Sequence, residues 1–87
     1  MDSVQLLAEA LTIARQLGFE IREELIGEGK GGACRIRGRT FLFLDPQLGP
    51  RERLPRVLDA IRDDAGLAQL AIRPALKHLL TRPTPAA

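Results

Sequence analysis

Apolar residues recur at helical spacing at the start of the chain. Leu6, Leu7, Ala10, Leu11, Ile13, Ala14 and Leu17 fall on one broad face. Asp2 or Ser3 can cap the first turn and Gly18 supplies a stop, so the pattern predicts a first helix over 3–17. The period then drops to two. Phe19 and Ile21 alternate with Glu20, Arg22 and Glu24, as in a half-buried strand. Residues 33–37 alternate again, with Cys34 and Ile36 against Arg35 and Arg37, which assigns Cys34 to the inward face. Gly38-Arg39 reads as a two-residue type II′ turn. Phe41-Leu42-Phe43-Leu44 is an unbroken apolar run, the mark of a strand covered on both faces or central in its sheet.

Asp45-Pro46 ends that strand and Gly49-Pro50 opens a second helix. Its apolar stripe is Leu54, Val57, Leu58, Ile61 and Ala65, Gly66 ends it, and Pro55 is expected to delay or kink it. Residues 67–72 read as a short edge strand or extended segment. Pro74 starts a short third helix carrying Leu76, Leu79 and Leu80. The expected fold is therefore α+β, a single small domain over 1–81 in the order α-β-β-β-α-(β)-α. Its simplest packing is a three-stranded, mainly antiparallel meander with the helices on one face. Residues 82–87 read as a disordered Pro-rich tail.

Composition narrows the chemistry. In 87 residues there is one Cys, one His, no Trp and no Tyr, and Ser3 is the only serine. That leaves too few soft ligands for a four-ligand zinc site, no intrachain disulfide and almost no room for a serine triad. No cofactor and no metal are expected, and the chain reads as a non-enzyme. The opening residues lack a basic segment followed by an apolar one, which with the single cysteine predicts a cytoplasmic protein. The net charge is +2, and eleven of the 13 bases are Arg. With many Ala, Gly, Pro and Leu residues, that bias fits a GC-rich coding sequence as well as phosphate recognition.

Two features invite ligand readings. Gly27, Gly29 and Gly32 spell G-x-G-x-x-G, but they join two strands where a dinucleotide site needs strand, turn and helix. The loop can still cradle an anion with Gly27, Gly29, Gly31 and Gly32 as backbone donors and Lys30 assisting, a weaker alternative that includes a nucleotide. Arg35, Arg37 and Arg39 form a basic cluster on the expected outer strand face, the basis of an alternative nucleic-acid-binding reading. If the first two strands pair, Glu20, Glu23 and Glu24 offset that cluster. The Asp59/Asp63 pair, His78 and the alternation of Arg51, Arg53, Arg56 and Arg62 with acids on the second helix read as solvated surface.

The stretch from Gly31 through Arg39, with 41–45 and 50–61, resembles small bacterial proteins carrying a Gly-Gly-x-Cys strand pair. It is more distantly similar, at scaffold level, to ImmA/IrrE-type zinc peptidases. The resemblance covers 19–63. The helix after the strands reads Leu58-Asp59-Ala60-Ile61-Arg62-Asp63, with no His-Glu-x-x-His, so the peptidase zinc site and activity do not carry over. What the chain is expected to do is contact a protein partner or a second copy of itself, as a homodimer. An apolar strip from the third strand or last helix would supply burial that so small a core lacks; no membrane contact is expected.

Overall fold

A computed structural model describes residues 2–24 and 32–81. Helix α1 (Ser3–Gln16) is capped by Asp2, whose Oδ1 accepts the Gln5 N–H at 2.9 Å. The chain reverses at Gly18, whose φ of +95° is the left-handed conformation that glycine adopts without a Cβ clash. Three strands follow: β1 (Phe19–Glu23), β2 (Gly32–Ile36) and β3 (Arg39–Leu44). Helix α2 (Pro50–Ile61), a 3-10 turn (Ala65–Gln69) and helix α3 (Pro74–Thr81) complete the described chain. The α+β class and the order of helices and strands are those expected.

The strand pairing is not a meander. The sheet order is β1-β3-β2, with β1 parallel to β3 and β2 antiparallel to it. A meander would put β2 in the middle. β3 carries four successive apolar residues and gains most from neighbours on both sides, so it takes the centre. Its run indicated this position; only the assumption that consecutive strands are neighbours failed.

The hairpin turn also differs by one residue. Ile36 pairs with Arg39, so the two turn residues are Arg37 and Gly38, with φ +51° and +79°. Positive φ at both positions is the type I′ pattern, whose twist matches that of the strands. Arg37 adopts it without glycine's freedom, at a cost of about 1–2 kcal/mol.

Two helical expectations are also corrected. α2 starts at Pro50 and continues through Pro55, so its start is not delayed. The carbonyl this proline leaves without a helical donor is that of Arg51, an exposed residue one turn from the start. Ala65 lies outside α2 and begins the 3-10 turn, which takes the first part of the edge strand or extended segment expected at 67–72, and Leu70 after it is extended. Asp64 starts that turn by accepting the Gly66 N–H at 2.8 Å. The Pro-rich tail expected at 82–87 lies outside the described residues.

The core lies between one face of the sheet and the helices. α1 supplies Leu7, Ala10, Ile13 and Ala14, and the sheet supplies Phe19, Leu42 and Leu44. Leu54, Val57, Leu58 and Ile61 come from α2, and Leu76 and Leu80 from α3. Two arginines, Arg53 within α2 and Arg62 at its C-cap, expected in a solvated face, hold segments together instead. Arg53 donates to the Leu48 and Pro46 carbonyls and to Glu23 Oε1, at 2.8, 3.0 and 2.6 Å. Arg62 donates to the Leu80 and Leu79 carbonyls at 3.0 and 3.2 Å, satisfying acceptors that the end of α3 would leave open.

Candidate functional site on the open sheet face

The helices cover one face of the sheet. Alternation puts Glu20 and Arg22 of β1, Arg39, Phe41 and Phe43 of β3, and Gly32, Cys34 and Ile36 of β2 on the other. This open face is apolar at its centre. Phe41 and Phe43 stack with ring centroids 5.8 Å apart and planes 22° from parallel. Ile36 is 45% exposed, one of two large hydrophobic residues that stand out of the described surface.

Charge frames the rings. The Arg39 guanidinium lies 5.4 Å from the centre of Phe41 and that of Arg22 lies 5.8 Å from it, both within cation–π reach. Arg39 also grips Glu20 with two bonds, Nε to Oε2 at 2.6 Å and Nη2 to Oε1 at 2.5 Å. This bidentate bond holds the Glu20 carboxyl below its usual range, and the pairing raises Arg39 in turn. The offset expected between strands 1 and 2 thus runs from β1 to β3, because those strands are neighbours.

The residues expected to form sites are dispersed. Arg35 is exposed at the sheet edge on the helix side, Arg37 lies in the turn, and Arg39 is on the open face. The basic strand face of Arg35, Arg37 and Arg39 is therefore not assembled: alternation separates Arg35 from Arg39, and the turn takes Arg37 out of the strand. Cys34, expected inward, is exposed on the open face. Leu42 and Leu44 join Phe19 in the core, so everything opposite Phe41 and Phe43 faces away from it. Gly27, Gly29, Lys30 and Gly31 lie outside the described residues; Gly32 opens β2 with φ +142°.

Asp59 bonds Arg62 at 2.5 Å, and Asp63 and His78 are exposed. Among the described residues no three His, Cys, Asp or Glu side chains converge as a metal site would require. The third strand was expected to leave an apolar strip outside the core, but its unbroken run did not say that Phe41 and Phe43 would be that strip. The signal was present: in a single-layered sheet only one parity of an apolar strand can meet the helices, and Leu42 and Leu44 match Phe19 and Ile21. No protein-family model, no curated protein and no solved structure matches the chain.

Proposed function

We propose that the chain is a non-enzymatic protein-interaction domain whose contact surface is the open face of the sheet. The observation that supports this most is the Phe41–Phe43 stack beside exposed Ile36, bordered by arginines, on a face that no described element covers. Aromatic residues and Arg are the types enriched at protein interfaces, where they act as anchors. Cys34 lies on this face and His78 is exposed on α3, one of the helices packed on the other side of the sheet, an arrangement that gives the thiol no histidine base.

A nucleic-acid reading draws on the same rings, since stacked aromatics beside Arg22 resemble a base-stacking platform. Two features weigh against it. Phe41 already carries two guanidinium groups, and Glu20 offsets the Arg39 charge that a phosphate would need. Electrophoretic shift with single-stranded RNA at low and high salt separates the readings: no shift is expected at either, whereas a salt-sensitive shift favours nucleic acid.

The surface is tested with a photo-reactive phenylalanine analogue in place of Ile36 or, as control, Val4, which is 61% exposed at the start of α1. Protein adducts are expected from position 36 and not from position 4. Equal adducts from both, or none from 36, would overturn the proposal.

A further inference from the structure

We infer that a second copy of the chain joins antiparallel along the outer edge of β2, beside this surface, with Cys34 on the two-fold axis. The inference rests on the interaction reading above and extends it from the open face to the strand edge beside it. β2 is an edge strand, and its outer edge is open among the described residues. A two-residue hairpin closes with a hydrogen-bonded pair, here Ile36 and Arg39. Bonding alternates from there. Ile36, Cys34 and Gly32 turn their N–H and C=O groups toward β3, whereas Arg35 and Ala33 turn theirs to the open edge. A second β2 centred on Cys34 puts Ala33 opposite Arg35 of the copy, twice by symmetry. Those are the residues with free backbone groups on both strands, so each pair exchanges N–H···O=C bonds. Cys34 then faces its own copy as a non-hydrogen-bonded pair, with Cα atoms about 4.5 Å apart.

The side chains fit the same register. It sets Ile36 of one copy opposite Gly32 of the other. A Cβ at Gly32 would meet nothing within 4 Å among the described residues, which leaves space there. Gly32 itself lies beside Phe43, so the incoming Ile36 extends the apolar patch across the joint. On the helix side, Arg35 of the copy lands over Ala33, beside a notch of about 250 Å³ lined by Gly32, Ala33, Arg56, Asp59 and Ala60. An inward charge such as Arg35 blunts an isolated edge; across this joint it lies over Ala33, whose small side chain leaves it room. β1, the other edge, carries Glu20, Arg22 and Glu23 and has no comparable apolar complement.

The test is sedimentation of the full chain, with cross-linking by a short bis-maleimide and circular dichroism as a folding control. The wild type is expected to sediment at twice 9.6 kDa at high concentration and to give a Cys34–Cys34 adduct. Ala33→Pro removes an N–H that the hairpin does not use and is expected to weaken association about tenfold or more. Ile36→Lys tests the joint independently, without touching the backbone, and is expected to weaken it similarly. A chain that stays monomeric and uncross-linked at every concentration overturns the inference, as does a dimer indifferent to both variants. Should the monomer still give adducts to other proteins from position 36, the interaction surface stands and only the edge pairing is wrong. Should those adducts also be missing, both fail.

Discussion

The two faces of β3 have opposite fates. Leu42 and Leu44 are fully buried beneath the helices, while Phe41 and Phe43, bulkier and also apolar, stay half-buried on the other side. Hydrophobicity alone does not decide which residues become core; the layer that has partners does. Among the described residues the helix side holds every buried side chain and no buried charge, whereas the open side mixes rings, a thiol and an ion pair. The first arrangement suits stability and the second suits recognition.

The comparison can be broken most directly by truncating one residue from each face. Leu42→Ala is expected to cost about 2–5 kcal/mol in chemical denaturation, because it opens a cavity beneath α1 and α2. Phe43→Ala is expected to cost only about 1–2 kcal/mol, since the ring is already partly in water. Equal losses would mean that the open face is core. A smaller effect is expected at the hairpin that carries both faces. Arg37→Asn places a residue tolerant of positive φ where the turn needs one, and should stabilise the fold by about 0.5–1 kcal/mol. A destabilised variant would contradict the turn assignment.

The smallest effect concerns the rim. Arg39 holds the Glu20 carboxyl below its unfolded value, so the bond stabilises the folded chain above the unfolded glutamate pKa, about 4.3. That contribution is lost as the pH falls through the lower folded value. Comparing Glu20→Gln with the wild type by thermal unfolding across this range should show a slight neutral-pH difference that closes in acid. A difference that persists in acid would assign the effect to something other than this ion pair.

Much of this was legible in the sequence, for reasons particular residues make plain. α1 was readable because Asp2, the apolar face through Leu17 and Gly18 all agree, and each is a local signal. The centrality of β3 was readable from its unbroken run. What could not be read was non-local. Whether β1 pairs with β2 or β3 depends on contacts across the chain, and that pairing also decides that Glu20 meets Arg39. Cys34 and Ile36 alternate correctly with Arg35, but alternation gives parity without saying which parity meets the helices. Pattern alone favoured the more apolar pair, and Leu42 with Leu44 had already filled that side. Arg53 and Arg62 look like ordinary surface bases until the Pro46, Leu48, Leu79 and Leu80 carbonyls arrive beside them.

The central claim is that the edge of β2, beside the open face, pairs with the same strand of a second copy. Amide hydrogen exchange along β2, followed by NMR at low and high protein concentration, tests it residue by residue. The account predicts that the Cys34 and Ile36 amides, bonded to β3, are protected at both concentrations. The Ala33 and Arg35 amides should exchange freely when dilute and become protected when concentrated. If Ala33 and Arg35 exchange freely at both concentrations, the edge has no partner strand and the claim is wrong.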